Sequence, residues 1–105
     1  MKALPPHTKQ KMKMLTEAQI EKYVVEYAIN LGCYVRKFSS PNHRGVPDRL
    51  FLSPSGVVFF IEFKAPGKVP TALQLKEMNL INNRQGNAHW VDSATDGKKI
   101  VDLYC

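Results

Sequence analysis

The chain has 105 residues, a length that allows one domain with a single hydrophobic core and is too short for two. Its apolar share of 44% is ordinary for a globular protein, and no apolar run approaches the ~20 residues that cross a bilayer, which argues against a membrane protein. The formal net charge of +6 at pH 7 favours a polyanionic partner such as nucleic acid.

Residues 1–15 are predicted to form a flexible basic arm that precedes a single domain over residues 16–105. Pro5-Pro6 would break a helix in this segment, and the rest lacks helical periodicity. No apolar stretch of the kind found in a secretory signal is present. The arm either contacts a nucleic-acid backbone or only keeps the chain in solution. Four of the six net positive charges lie in it, on Lys2, Lys9, Lys11 and Lys13.

Three helices and four strands are predicted after the arm, in the order α-β-β-β-α-β-α. The first helix opens with the capping box Thr16-Glu-Ala-Gln19 and ends at Gly32. A second capping box, Thr71-Ala-Leu-Gln74, opens the second helix, which stops near Gly86. Trp90 is expected in the core. The strands are predicted at residues 33–38, 49–52, 57–64 and 88–91, and the last helix at residues 98–104.

The connections between the strands predict how they pair. The turn Pro54-Ser-Gly56 can join the second and third strands as an antiparallel hairpin, whereas the fourth strand returns through a helical crossover. This pattern predicts an α/β fold with a mixed β-sheet flanked by helices.

The third strand carries the first candidate site residues. Its alternate positions from Val57 to Phe63 are apolar, whereas the opposite face ends in Glu62 and Lys64. An acid and a base two residues apart on one face share a small volume, where buried charge is costly unless it is paired or binds a metal. Solvated positions at the sheet rim explain this pair equally well.

The segment Gly45-Val-Pro-Asp48 can place a second carboxylate beside Glu62. Gly45 permits tight backbone geometry, and Pro47 stiffens the approach to the second strand. Two carboxylates and a lysine form the minimum set for metal-assisted phosphodiester cleavage, and their oxygen atoms suit Mg²⁺ or Mn²⁺. A turn-forming role is the alternative for Asp48, because aspartate is common after proline.

These residues resemble the PD-(D/E)xK nuclease superfamily, and specifically its VRR-NUC branch. The pattern is Gly45-x-Pro47-Asp48, thirteen intervening residues and Glu62-x-Lys64, and the resemblance extends over about residues 16–91. It implies a restriction-endonuclease-like core with Asp48 and Glu62 as metal ligands and Lys64 as the catalytic lysine. Stand-alone members of the branch, often phage-encoded, resemble Holliday junction resolvases and act as homodimers. The resemblance therefore implies an endonuclease for branched or Holliday junction DNA.

Further site residues are predicted on the two helices. Glu17 falls within the apolar face of the first helix and is preferred to Glu21, at its edge, as a third metal ligand. Stabilisation by the helix dipole explains an acid at Glu17 almost as well. Gln74 resembles the glutamine of the family motif, but it also completes a capping box. Four basic side chains near the site are either phosphate contacts or ordinary surface charges, namely His43, Arg44, Arg49 and Lys68.

Two rival functions remain open. A non-catalytic nucleic-acid-binding protein on a decayed nuclease fold would be expected to lack Asp48, Glu62 or Lys64, and all three are present. A restriction-type endonuclease usually carries added recognition segments that this chain lacks. If the protein is a dimer, the last helix is expected to supply a self-complementary apolar patch made of Ile100, Val101, Leu103 and Tyr104.

The two cysteines predict the compartment. Cys33 and Cys105 are too few for a disulfide framework and do not form a Cys-x-x-Cys pair. We therefore expect two unpaired thiols in a reducing cytoplasm, which for a phage-encoded protein is that of the host cell.

Overall fold

The computed structural model of the protein describes residues 14–105, and it confirms the predicted order of helices and strands. None of the helices in this range is long and apolar enough to cross a membrane. The arm predicted for residues 1–15 lies outside the described residues except for Met14 and Leu15, and Leu15 packs against the core. The helices are α1 (Glu17–Asn30), α2 (Ala72–Asn82) and α3 (Ala94–Tyr104), and the strands are β1 (Tyr34–Lys37), β2 (Arg49–Leu52), β3 (Val58–Phe63) and β4 (Ala88–Val91).

Helix starts follow their capping residues. Both predicted capping boxes form, at Thr16 for α1 and at Thr71 for α2. The predicted start of the last helix at residue 98 is wrong. It begins at Ala94 because Ser93 caps it, accepting a hydrogen bond from the backbone N–H of Asp96.

The sheet has the strand order β1-β2-β3-β4. Strands β1 and β2 pair antiparallel, as do β2 and β3, whereas β3 and β4 pair parallel with α2 as the crossover. The β2–β3 turn is held by Ser53, whose Oγ accepts a hydrogen bond of 2.9 Å from the backbone N–H of Val57. The predicted mixed sheet is therefore confirmed.

One face of the sheet forms the core against α1 and α3. Phe59 lies there with no exposed surface, and its ring stacks on Phe51 at 4.8 Å and on Tyr104 at 4.5 Å between centroids. Helices α1 and α3 approach closely because Gly97 has no side chain that would collide with Val24. The remaining buried members of this core are Ile20, Ala28, Cys33, Val35, Ile61, Phe63, Val91 and Val101.

The opposite face of the sheet is less completely covered. Helix α2 packs against β4 on this side, and Phe60 is half-buried with its ring 5.1 Å from that of Phe38. Val58 is exposed, as is Trp90 with 37% of its surface accessible. The expectation that Trp90 belongs to the core is therefore wrong.

The structure overturns the apolar dimer patch predicted on the last helix. Val101 is fully buried, and Ile100 and Tyr104 pack against the core. Only Leu103 is largely exposed, at 68%. The apolar residues of this helix stabilise the fold, because the helix packs against both α1 and the sheet.

The structure also overturns the prediction of two unpaired thiols. Cys33 and Cys105 form a disulfide, although 72 residues separate them in sequence. Helix α3 runs back along α1 and brings the last residue to the start of β1. The sequence alone did not place these two positions side by side, since their contact depends on the path of the whole chain.

Candidate active site

The β2–β3 pairing brings the two predicted carboxylates together. Arg49 lies opposite Ile61 in the antiparallel register, so Asp48, one residue earlier, lies opposite Glu62. The backbone N–H of Phe63 donates a hydrogen bond of 2.8 Å to Oδ2 of Asp48. This bond fixes the Asp48 side chain at the end of the sheet, beside Glu62.

The loop before Asp48 has little freedom. Gly45 adopts φ +88°, a left-handed conformation that favours glycine. A Cβ atom at this position would lie 3.0 Å from both backbone and side-chain atoms of Leu73. Pro47 is fully buried, which anchors the residue immediately before Asp48. The predicted need for glycine in this turn is confirmed, and the reason is contact with α2.

Glu62 is the most enclosed charged side chain in the described part of the protein. It is 3% exposed, and its Oε2 accepts a hydrogen bond of 3.0 Å from Nε2 of Gln74. The Nζ of Lys64 lies 3.5 Å from the same oxygen. Oε1 is buried and has no hydrogen-bond partner within residues 14–105. A buried carboxylate oxygen without a partner destabilises the fold unless a ligand satisfies it.

The two carboxylates also disturb each other's titration. Burial raises the pKa of Glu62 to about 7, with the neighbouring charge of Asp48 as the next cause, while Lys64 opposes the shift. Burial raises the pKa of Asp48 as well, against the stabilising hydrogen bond from Phe63. The pair therefore holds a proton more firmly than ordinary carboxyl groups do, because burial and mutual repulsion disfavour two negative charges here.

The residues present fit a hard divalent cation that retains water. No group of three or more His, Cys, Asp or Glu side chains that could hold a metal is found among residues 14–105. Mg²⁺ is commonly bound by one or two carboxylates, with waters and substrate phosphate completing its shell. Asp48 and Glu62 match that donor set, and Oε1 of Glu62 is a free buried oxygen that a cation would satisfy.

The helix acid nearest the pair is Glu21 and not Glu17. Glu17 is exposed and makes no ion pair in the described structure. Glu21 lies one turn further along α1, where its charge contributes to raising the pKa of Asp48. Its Oε2 accepts a 2.6 Å hydrogen bond from Nε of Arg49. The expectation that Glu17 points towards the site is therefore wrong. Glu21, which the helical period places at the edge of the apolar face, is the acid whose charge affects Asp48.

Gln74 completes the predicted capping box and also contacts the candidate site. Its Oε1 accepts a hydrogen bond of 2.9 Å from the backbone N–H of Thr71, which completes the capping box. Its Nε2 simultaneously donates to Glu62. The start of α2 thereby positions the Glu62 side chain, so local helix capping and site geometry are coupled.

The four predicted phosphate contacts divide into two groups. His43, Arg44 and Lys68 are exposed on the loops around the site, where an incoming phosphate could reach them. Arg49 is instead engaged with Glu21, with 21% of its side chain exposed. The pairing of Arg49 with Glu21 could have been predicted from the alternation of side chains along a strand. Arg49 follows Asp48 directly and therefore points to the opposite face of the sheet, on the side of α1.

Comparison with known proteins identifies relatives of the chain. No protein-family model matches the sequence. The chain is 47% identical over 66 residues to "Putative nuclease p44" of Acyrthosiphon pisum secondary endosymbiont phage 1, covering 63% of this chain and 71% of that protein.

Two solved structures share the fold. One, described as a VRR_NUC domain, superimposes with a TM-score of 0.78 at 33% identity and covers 87% of this chain and 100% of its own. Another, a VRR_NUC domain protein, has a TM-score of 0.71 at 15% identity, covering 88% and 89%, and shows the common fold alone. Because the phage nuclease and the first of these structures are relatives at 47% and 33% identity, the chain belongs to the VRR-NUC family of nucleases.

Proposed function

We propose that this nuclease is a divalent-metal-dependent endodeoxyribonuclease that hydrolyses phosphodiester bonds in branched DNA. The observation that carries the metal requirement is the buried Glu62, whose Oε1 lacks a partner while Asp48 and Lys64 lie beside it. A fold gains nothing by itself from a buried carboxylate whose pKa is raised by burial and by the charge of a neighbouring carboxylate. A bound cation would remove that penalty and supply the Lewis-acid chemistry of phosphodiester cleavage.

Each residue of the site has a distinct role in this proposal. Asp48 and Glu62 would hold Mg²⁺ or Mn²⁺, which when bound lowers the pKa of a water and neutralises charge on the phosphate. Lys64 lies 3.5 Å from Glu62 and is 15% exposed, so its ammonium group can reach a scissile phosphate and orient the attacking water. Gln74 keeps Oε2 of Glu62 in place through its hydrogen bond.

The substrate proposal rests on charge and on the family. The net charge of +6 and the exposed His43, Arg44 and Lys68 suit a nucleic-acid backbone. Branched DNA and a homodimer follow from the resemblance to stand-alone junction-cleaving members, since a two-fold dimer matches a two-fold junction. We propose the cytoplasm of a host cell as its place of action because a nuclease relative is phage-encoded. The Cys33–Cys105 disulfide does not support this location, since disulfides persist in oxidising compartments. The rival of a non-catalytic binding protein is disfavoured by the intact triad of Asp48, Glu62 and Lys64.

The proposed activity is tested with end-labelled DNA. Blunt duplex, flap and four-way junction substrates of equal length are incubated with Mg²⁺, Mn²⁺ or EDTA, and the cuts are mapped. We expect cleavage of the flap or junction in either metal and none in EDTA. Cleavage that persists in EDTA would exclude the metal requirement, and equal cleavage of all three substrates would exclude selection for branched DNA.

The proposed ligands are tested by isosteric substitution. Glu62→Gln and Asp48→Asn each remove a negative oxygen ligand while conserving volume, so we expect cleavage to fall by more than about a hundredfold. Glu26→Gln on the exposed side of α1 is the matched control and should cleave like the wild-type protein. Near wild-type activity in either site variant would show that the cut is made elsewhere.

The proposed homodimer has its own measurement. Light scattering at micromolar concentration should give twice the monomer mass of 11.9 kDa, and a junction should receive paired nicks placed symmetrically across the branch point. A monomeric mass with unpaired nicks would leave a structure-specific nuclease without the two-fold mechanism.

A further inference from the structure

Trp90 lies beside the proposed cleavage site on the outer strand of the sheet. It is the register partner of Glu62 across the parallel β3–β4 pair. Partners in adjacent strands point to the same face and are separated by about 4.8 Å between backbones. The indole therefore emerges next to the carboxylate, and within residues 14–105 no strand pairs with the far side of β4.

Exposure together with the lack of a ring partner distinguishes this side chain from the other aromatic residues of the sheet. Phe38 and Phe60 contact each other, as do Phe51 and Phe59. Trp90 is 37% exposed, and within residues 14–105 its ring has no aromatic or cationic partner. Tryptophan gains most from burial, so leaving over a third of it in water gives up stabilisation. Part of the ring remains available to a ligand.

We propose that Trp90 stacks on an unpaired base of the bound DNA strand, next to the phosphate held at Glu62 and Lys64. A base within a duplex already stacks on its neighbours, so only an unpaired or displaced base can offer a full face to the indole. The base and phosphate of one nucleotide are separated by a single sugar. One nucleotide can therefore place its phosphate at Glu62 on β3 and its base on Trp90 on the adjacent strand β4. This inference rests on the proposed function and deepens it, because it names unpaired nucleotides beside the cut as the feature recognised.

Stacking gives selectivity for DNA structure and not for sequence. Every base has an aromatic face, and stacking on a protein aromatic side chain contributes about 1–3 kcal/mol per base. The flat face of Trp90 would thus favour flaps, bulges and junction centres over continuous duplex. The basic side chains around the site would contribute to binding both kinds of DNA equally.

The tryptophan emission of the protein provides a direct measurement, because Trp90 is its single tryptophan. The Glu62→Gln variant, chosen to prevent cleavage, is titrated in Ca²⁺ with a flap substrate and with a blunt duplex of the same length, and fluorescein anisotropy follows saturation. We expect strong quenching by the flap and weak quenching by the duplex. Equal quenching at saturation would overturn the proposal, as would emission that changes only with protein concentration, which would place Trp90 in a protein–protein contact.

Three variants separate stacking from a structural role. Trp90→Leu should weaken flap binding about tenfold, equivalent to about 1.4 kcal/mol, while duplex binding changes little. Trp90→Phe keeps a smaller aromatic face and should recover part of the loss. Tyr34→Leu removes another exposed aromatic residue at the opposite edge of the sheet and should leave both affinities unchanged.

The outcomes distinguish this inference from the function on which it rests. If Glu62→Gln is inactive, the proposed site stands. The role of Trp90 would then be overturned if Trp90→Leu lost flap and duplex binding equally, or lost neither. Wild-type cleavage by Glu62→Gln would overturn the proposed site itself, whatever the fluorescence shows.

Discussion

The two faces of the sheet use the same strands but differ in how they treat the side chains they carry. On the α1 and α3 side, Phe59 and its neighbours are fully enclosed and satisfied by contact with each other. On the α2 side, Phe60 is only half-buried, and the same strand ends in a buried Glu62 with an unsatisfied oxygen. The comparison teaches that β3 stabilises the fold through one set of alternate residues, whereas the other set places a costly buried carboxylate at the proposed site.

The largest effect on stability is expected from the enclosed face. Phe59→Ala should lower the free energy of unfolding by about 3–5 kcal/mol, because the ring contacts two others and leaves a cavity. Phe60→Ala, one residue away and half-buried, should lower it by only about 1–2 kcal/mol. Urea denaturation of both variants measures the difference, and equal losses would mean that the faces are equally packed.

A smaller effect is expected where the open face meets α2. Gln74→Ala removes the capping bond to Thr71 and the contact with Glu62, so the free energy of unfolding should fall by about 1 kcal/mol and cleavage by about tenfold. Thr71→Ala removes the other half of the capping box and leaves the Glu62 contact. It should match the stability loss and retain most activity. A parallel loss of activity in both variants would show that Gln74 acts only through the helix.

The smallest effect is expected in the dependence of stability on pH. His89 lies on the enclosed side of β4, with Nε2 2.6 Å from the hydroxyl of Tyr104, and burial lowers its pKa. Below the ordinary histidine value of about 6.5, the unfolded chain binds a proton that the folded one resists, so the contribution of His89 to stability should fall as the solution is acidified, opposite in sign to the contribution of Glu62. The melting temperature of His89→Gln relative to wild type should therefore rise as the pH falls from about 6.5 to 5. A difference that does not change with pH would show that the titration of His89 does not affect stability.

Much of the fold was predictable because it depends on local signals. The capping hydroxyls of Thr16 and Thr71 and the period of two in residues 57–64 act over a few residues, and each appears where expected. The Asp48–Glu62 neighbourhood followed from a short hairpin with a defined turn. Such features need no knowledge of the rest of the chain.

The remaining site features depend on how the elements pack. A helical period gives the directions in which Glu17 and Glu21 point around α1. It does not give their positions along the helix axis relative to the sheet, which decide which acid approaches Asp48. The exposure of Trp90 depends on how much of β4 is covered by α2. The Cys33–Cys105 contact depends on where α3 ends.

The central claim is that Glu62 is held buried for a cation at a cost to the metal-free fold, and one measurement tests it directly. Because its folded pKa is about 7 against an ordinary value of about 4.3, the metal-free protein should lose stability as the pH rises through that interval. At pH 8 in EDTA, Glu62→Gln should therefore melt at a higher temperature than wild type. Adding Mn²⁺ should raise the melting temperature of wild type and leave Glu62→Gln unchanged. The account would be contradicted if Glu62→Gln melted at a lower temperature than wild type in EDTA, or if Mn²⁺ raised its melting temperature as much as that of wild type.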